Sequence, residues 1–131
     1  LEQAMGAAIE CFDRSAAVNV PRSRFAPVKG TSDLFALRSD AYDVGEDGSV
    51  QLVASREGKP PVVHFSSEYK LVDALDGLGQ PSLVETEELT ISGLVTFEHG
   101  VVIKGKVKIE NISGETKTVA AGEYSNETMT L

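Results

Sequence analysis

Apolar residues return at a fixed spacing in the last part of the chain, from Leu89 onward. Written in sixes from Glu88, the sequence reads ELTISG, LVTFEH, GVVIKG and KVKIEN. The second place holds Leu89, Val95, Val101 and Val107, and the fourth holds Ile91, Phe97, Ile103 and Ile109. The sixth place holds the turn-tolerant residues Gly93, His99, Gly105 and Asn111. The next six, ISGETK, breaks the rule and predicts an outward loop, after which Val119 and Ala121 resume the register.

This period predicts a parallel β-helix. Each six supplies a short strand and a tight corner, three sides close one triangular coil, and stacked coils bury the inward apolar places in a column. A stack of antiparallel hairpins would also explain simple alternation of apolar and polar residues. The β-helix is favoured because one register holds over four consecutive sixes.

Residues 2–17 have the spacing of an amphipathic helix, with Ile9 and Phe12 on its apolar stripe. The single cysteine, Cys11, falls inside this pattern and is expected to be a buried thiol. Pro21 ends any helix here, after a short extended stretch.

A second helix is predicted to begin with Thr31 or Ser32 as its N-cap and with Asp33 in its first turn. Its buried stripe is marked by Leu34, Leu37 and Ala41, and Phe35 is a further candidate for it. Beyond it, the pair Asp47-Gly48 indicates a hairpin turn within residues 44–53. Residues 62–65 then form a short strand, and residues 67–78 return to helical spacing, with Tyr69, Val72, Leu75 and Leu78 on one buried face.

The composition limits the classes of function. The chain has 131 residues, 41% of them apolar, which is enough to build a packed core, and its formal net charge is −8. Such a negative field argues against a nucleic-acid surface and against binding to an anionic membrane, so neither partner is expected. No apolar run approaches the length of a transmembrane helix, no signal peptide is visible, and the lone cysteine fits a reducing compartment. We therefore expect a cytoplasmic location.

Most residues that could carry chemistry lack the pattern for it. The sequence contains none of the motifs GxGxxG, GxxxxGK[ST], HExxH and CxxC. His64 and His99 are far apart in strand-like contexts, so no metal site is predicted in this chain. Glu85, Glu87 and Glu88 form an acidic patch that is interpreted as a solvated connector.

Lys29 stands out because only Gly30 separates it from the predicted second helix. The start of a helix offers unpaired backbone N–H groups and a partial positive charge, to which a lysine adds an ammonium. Arg22 and Arg24 lie close by in the sequence. From the residues alone, Lys29 is either a phosphate-binding residue or a solvated surface lysine.

The chain resembles a known enzyme family. The run VPRSRFAPVK at residues 20–29, followed by TSDL, is very similar to eukaryotic-type UDP-glucose pyrophosphorylases, which are UTP–glucose-1-phosphate uridylyltransferases. The similarity continues through LRSDAY and returns at PSLVE and LTISG, with a divergent stretch around residues 45–60. It therefore spans nearly the whole chain. Gly30 stands where that family usually has Thr or Ala.

The resemblance implies a fold and a reaction. The implied fold is a Rossmann-like α/β nucleotidyltransferase domain followed by a short C-terminal left-handed parallel β-helix. Residues 1–80 would be the edge of the catalytic domain with a connecting hairpin and helix, and residues 81–131 would be the β-helix. The implied reaction converts UTP and glucose 1-phosphate into UDP-glucose and pyrophosphate with Mg²⁺, whose ligands would lie outside this chain. The phosphate-contacting lysine of the family's PVK motif corresponds to Lys29.

The chain is accordingly expected to be the C-terminal piece of such an enzyme. The uridine-binding loop and the metal-binding acid of the family have no counterpart in this sequence, so the 131 residues are expected to be inactive alone, and no catalytic residue is assigned. The alternative is a structural or oligomerisation β-helix module without a catalytic role. The two are compatible, and a homo-oligomer formed through the β-helix is expected. A hexapeptide-repeat acyltransferase fits less well, because the coils are few and His99 is isolated.

Overall fold

Residues 4–21 and 27–131 are described by a computed structural model of the chain. Arg22 and Arg24 lie outside these residues. Within the described part of the chain, no helix is long and apolar enough to cross a membrane.

The first helix is much shorter than its sequence pattern predicts. Helix α1 spans Ala4–Ala7 and continues as a 3-10 turn over Ala8–Cys11, after which Phe12 has an extended backbone. Phe12 is 69% exposed and Ile9 is 44% exposed. A short helix gains most of its stability from packing its apolar face, and this face is open in the described structure. Cys11 is also exposed, so the expectation of a buried thiol was wrong.

Helix α2 spans Thr31–Leu37, with Gly30 as its N-cap, one residue earlier than the nearer of the two predicted caps. The buried positions are Phe35, Ala36 and Ala41, whereas the predicted Leu34 and Leu37 are half-buried. The Phe35 ring meets Phe65 edge-on, with ring centroids 5.3 Å apart. Phe35 is therefore the most buried residue of the helix, and Leu34 and Leu37 are covered only in part.

The hairpin and the following strand match the sequence prediction. Strands β1 (Tyr42–Val44) and β2 (Val50–Leu52) pair antiparallel, and Gly48 takes a φ of +76° in the turn between them. Strand β3 spans Val62–Phe65. The predicted strand at residues 62–65 is therefore confirmed.

The predicted helix over residues 67–78 is broken into two short pieces. A 3-10 turn covers Ser67–Tyr69 and helix α3 covers Asp73–Asp76. Of the predicted buried positions, Tyr69, Leu75 and Leu78 are buried, and Val72 is 52% exposed. The break lets the Tyr69 side chain and the end of α3 both reach the same sheet.

The remaining strands form two parallel sheets. Their bounds are β4 (Ser82–Ser92), β5 (Val95–Phe97), β6 (Val101–Glu110), β7 (Lys117–Val119), β8 (Gly122–Ser125) and β9 (Thr128–Thr130). In the larger sheet β3 pairs with β4, β4 with β6, and β6 with both β8 and β9, while β5 and β7 form the second sheet. All of these pairs are parallel, which excludes a stack of antiparallel hairpins. The described chain is thus a parallel sheet with α/β character.

The repeat predicted the buried positions of this sheet correctly. All eight apolar places from Leu89 to Ile109 are at most 5% exposed. Leu89 pairs with Val107, a separation of 18 residues that equals three sixes. Gly93 takes a φ of +80° at the predicted corner, but the next corner uses Gly100, at +89°, in place of His99.

The register after the outward loop differs from the prediction. Residues 112–116 are exposed, as expected for a loop. Val119 is buried, but it pairs with Phe97, 22 residues earlier, because the loop adds four residues to this turn of the chain. Ala121, predicted to return to the inward face, is exposed. Val119 is therefore buried as predicted, but its register was wrong, and so was the prediction for Ala121.

The buried apolar residues form one cluster that includes both the helical half and the parallel sheets. Phe35 and Ala41 belong to it, together with Tyr69, Leu89 and Val119. The predicted domain boundary between residues 80 and 81 stays a prediction.

Candidate phosphate-binding site

Lys29 lies exposed in the turn that leads into α2. The carboxylate of Asp33 folds back over this turn, where its Oδ2 accepts the backbone N–H of Lys29 at 2.8 Å and that of Gly30 at 3.0 Å. The backbone N–H groups of Lys29 and of the N-cap Gly30 are therefore both bonded to one carboxylate. The predicted phosphate site at the start of α2 stays a prediction, and the positive side-chain charge at this turn is the Lys29 ammonium.

That ammonium keeps its charge available. Among residues 4–21 and 27–131, no carboxylate oxygen lies within 4.0 Å of the Lys29 Nζ. An ion pair with Asp33, four residues on, is a common helical contact, but here the carboxylate turns to the backbone. Lys29 thus presents an exposed cation on a fixed turn.

Gly30 adds no strain to this turn. Its backbone is extended, with φ −148° and ψ 177°, which any residue can adopt. A Cβ at this position would meet only the Ser32 Oγ, at 3.9 Å. The Cβ that an alanine would add at this position, where the resembling family usually has Thr or Ala, therefore fits without rearrangement.

Tyr69 ties the start of α2 to the parallel sheet. The Thr31 hydroxyl donates to the backbone carbonyl of Tyr69. The Tyr69 hydroxyl in turn donates to the Gly93 carbonyl at 3.0 Å and accepts the Val95 N–H at 2.8 Å. Burial raises the pKa of Tyr69, which keeps the hydroxyl protonated so that it can donate. The turn that carries Lys29 is thereby held against the sheet.

A shallow cleft opens beside this turn, between residues 30–32 and residues 66–70. The Ser66 hydroxyl oxygen accepts the Gly93 N–H at 3.1 Å. A hydrogen bond from Ser66 lowers the pKa of Glu68, which stays ionised. Lys70 brings a positive charge to the same rim. Lys70 is therefore the charged residue that lines this cleft, and Lys29 and Glu68 are not among its lining residues.

Neither histidine is part of a reactive group. The His64 Nε2 lies 3.8 Å from the Glu88 carboxylate on an exposed face, and His99 is exposed. Within residues 4–21 and 27–131, no three His, Cys, Asp or Glu side chains gather closely enough to hold a metal ion.

One member of the predicted acidic patch belongs to an ion-pair row. Glu85 and Glu123 flank Lys104, with N–O distances of 3.2 Å and 2.9 Å across three neighbouring strands. Hydrogen bonds to Glu123 and Glu85 raise the pKa of Lys104. This row braces the outer face of the sheet, so the patch is not only a solvated connector.

Sequence reasoning missed Asp33 and Tyr69 as supports of the Lys29 turn. Asp33 was placed in the first turn of the helix, and an acidic residue three places after an N-cap is a known reach-back pattern. Tyr69 was predicted only as a buried position. Its contact with Thr31 joins residues 38 apart, which no local pattern reports.

The family model for UTP–glucose-1-phosphate uridylyltransferase matches residues 1–104. The chain is 43% identical over 116 residues to the enzyme of that name from Astragalus penduliflorus, which covers 87% of this chain and 25% of the relative. It is 40% identical over 131 residues to UTP–glucose-1-phosphate uridylyltransferase 2 from Dictyostelium discoideum, covering 97% of this chain and 26% of the relative. The chain thus spans about a quarter of the length of these curated relatives.

Solved structures show the same likeness in three dimensions. A UDP-glucose phosphorylase from Trypanosoma brucei has 47% sequence identity and a TM-score of 0.81, with 97% of this chain and 28% of that chain covered. A variant of UDP-glucose pyrophosphorylase from Leishmania major in complex with UDP-glucose has 42% identity and a TM-score of 0.81, with the same coverage. The family match covers well over half of the residues, and fold and sequence agree. This chain belongs to the UTP–glucose-1-phosphate uridylyltransferase family.

Proposed function

We propose that this chain is part of an enzyme that forms UDP-glucose and pyrophosphate from UTP and glucose 1-phosphate. The observation that carries the proposal is a sequence identity of 40–47% over 87–97% of the chain. The relatives concerned are named UTP–glucose-1-phosphate uridylyltransferase or UDP-glucose phosphorylase. A phosphate oxygen of glucose 1-phosphate would bond to the α-phosphorus of UTP, while the bond from that phosphorus to the bridging oxygen breaks and pyrophosphate leaves.

In this reaction the protein's main task is to hold negatively charged groups in line and to offset their charge. We assign that task, within this chain, to Lys29. The assignment is supported by its exposed position, its fixed backbone and its unpaired ammonium within the described residues. A preorganised cation near a developing charge is worth about 10²-fold in rate or more.

A divalent ion such as Mg²⁺ would lower the repulsion between the phosphates when bound. The described residues offer no cluster that fits it, so its ligands would have to come from other residues of the complete protein. No residue described in this chain is therefore assigned to hold the metal ion.

The parallel sheets support a second, structural part of the proposal. We interpret the 18-residue pairing and the stacked corners as a short left-handed β-helix over residues 81–131, with residues 1–80 at the edge of a Rossmann-like catalytic domain. A β-helix presents a coil end and flat faces that can meet a second copy, so this segment is also the candidate for assembly into a homo-oligomer. Ile112, at 82% exposure on the outward loop, is the most accessible apolar residue there. The cytoplasmic location stays a prediction.

The experiment that tests the enzymatic role changes Lys29→Ala in the complete protein that carries this chain. We expect kcat for UDP-glucose synthesis to fall by about 10²-fold, because one fixed positive charge is lost from the phosphates. Folding should be unchanged, since the Lys29 side chain is exposed. Lys59→Ala is the matched control, because Lys59 is also exposed but lies in the connection between β2 and β3.

Equal activity of the Lys29→Ala and Lys59→Ala proteins would remove Lys29 from the site. Absence of UDP-glucose synthesis from the complete wild-type protein would refute the proposed reaction itself. The 131-residue chain alone should give no turnover with UTP and glucose 1-phosphate, and measurable turnover would show that it already contains the essential groups.

A further inference from the structure

We propose that Asp33 is a positioning residue for Lys29, an inference that rests on the phosphate-binding role proposed above. Asp33 makes no contact with substrate in this proposal. It acts by fixing the backbone from which the lysine side chain departs, and by doing so without neutralising the ammonium.

The first part follows from where the two hydrogen bonds fall. The N–H groups of Lys29 and Gly30 lie on the two peptide planes that flank the Lys29 Cα, and one oxygen of Asp33 accepts both, at 2.8 Å and 3.0 Å. Because each peptide unit is planar, holding both planes to one oxygen restricts φ and ψ of Lys29. The direction of its Cα–Cβ bond is then set by the helix that carries Asp33.

The second part follows from the charge. A carboxylate in the first turn of a helix is stabilised there by the helix dipole and by charge-assisted bonds to backbone N–H groups. Asp33 is satisfied in this way, and within the described residues no carboxylate oxygen comes within 4.0 Å of the lysine Nζ. The lysine ammonium is thus left without a carboxylate partner among the described residues, while the carboxylate occupies the amides of Lys29 and Gly30.

The helix itself is secured from a different side. The Thr31 hydroxyl bonds to the Tyr69 carbonyl, and Leu34 donates its N–H to the Gly30 carbonyl at 3.1 Å. Removing the Asp33 carboxylate would therefore free the Lys29 turn while these contacts still hold α2. If Asp33 only capped the helix, its loss would lower stability and leave kcat unchanged. If it positions Lys29, the effect of its loss on kcat must depend on whether Lys29 is present.

The test is a double-mutant cycle in the complete protein, with kcat and KM measured for UTP and glucose 1-phosphate. Asp33→Ala should lower kcat by roughly 10-fold to 10²-fold with a smaller change in KM, because a displacement of about 1 Å can cost that much. Asp33→Asn should stay within about threefold of wild type, since its amide oxygen can still accept both N–H groups. Asp47→Ala is the matched control, because Asp47 accepts the Ser49 N–H at 3.0 Å in the distant hairpin turn, and it should leave kcat unchanged.

The decisive measurement adds Asp33→Ala to the Lys29→Ala protein. If Asp33 acts through Lys29, the second change has no further effect on kcat, because coupled residues are not additive. A full independent loss in that background overturns the positioning role while the role of Lys29 stands. If Asp33→Ala does not fold, Asp33→Asn decides: activity near wild type supports the proposal, and activity as low as Lys29→Ala overturns it. Normal activity of Lys29→Ala itself would instead refute the phosphate-binding role.

Discussion

Replacing Gly93 by alanine tests whether the corners of the parallel sheet stack directly on one another. Gly93 has a φ of +80°, and an added Cβ would lie 2.1 Å from the carbonyl oxygen of Asn111 and 3.0 Å from its carbonyl carbon. The Asn111 backbone cannot easily move away, because its N–H donates to Ser92 at 2.8 Å and its side-chain amide donates to Leu94 at 2.6 Å. Alanine must therefore push two corners of the sheet apart.

Three costs make up the expected loss in the free energy of unfolding. A left-handed backbone costs a non-glycine residue about 1–2 kcal/mol. Forcing extra atoms into a packed contact costs about 1–3 kcal/mol. One weakened hydrogen bond at the displaced corner adds about 1 kcal/mol. From these costs we expect Gly93→Ala to lose about 3–6 kcal/mol, which is a large part of the stability of a typical domain.

Gly114→Ala is the matched control for this change. Gly114 has a φ of +77° but has no atom within 4 Å of an added Cβ, so it should show the backbone cost alone. Gly79→Ala should resemble Gly93→Ala, because its Cβ would lie 2.4 Å from the Phe97 carbonyl oxygen. Gly105→Ala should cost less, because the nearest atom is the side-chain Oδ1 of Asn126, which can rotate away.

Urea unfolding of the 131-residue chain, followed by far-ultraviolet circular dichroism, gives the free energy for each variant. The order of losses should be Gly93 and Gly79 first, Gly105 next and Gly114 last. Equal losses for Gly93→Ala and Gly114→Ala would refute the stacking of corners, since the two positions differ only in what faces them.

Two further changes test the anchoring role of Tyr69 and the proposed assembly into a homo-oligomer. Tyr69→Phe leaves the buried Val95 N–H without its hydroxyl partner, so it should lower the free energy of unfolding by about 1–3 kcal/mol, with the same urea assay as the measurement. Tyr124→Phe, which removes a hydroxyl bonded to Ala120 at the surface, should change it by no more than about 0.5 kcal/mol, and an equal effect of both changes would contradict the anchoring role of Tyr69. Ile112→Glu in the complete protein should reduce the mass measured by light scattering if the outward loop meets a second copy, while Thr116→Glu in the same loop serves as the control. An unchanged mass after Ile112→Glu would exclude that loop from assembly.

The repeat from Leu89 shows how much a strong periodic pattern can predict. Strand residues alternate between two faces, so a register kept over four sixes identifies the buried face without any knowledge of the partner strands. The pairing of Leu89 with Val107 also agrees with the repeat, because the two residues are separated by three sixes. The hairpin at Gly48 was predictable for a similar reason, since the turn needs a positive φ that Asp-Gly supplies locally.

Positions that depend on a distant partner could not be predicted. The stripe of residues 2–17 predicted a long helix, but α1 ends early where nothing in the described structure covers Ile9 and Phe12. Ala121 lost the predicted register because the loop before it adds four residues, and a loop carries no period. Each of these positions was decided by what packs against it.

The candidate site divides along the same line. The sequence by itself singled out Lys29 as the candidate phosphate-binding residue, through the PVK run and the helix that follows it. It also placed Asp33 in the first turn of that helix. Only the tertiary structure decided that the Asp33 carboxylate accepts the N–H groups of Lys29 and Gly30 and leaves the ammonium unpaired among the described residues. The reason is that spacing along a chain sets which groups are near, whereas competition among nearby groups for the same hydrogen-bond donors is settled by their positions in space.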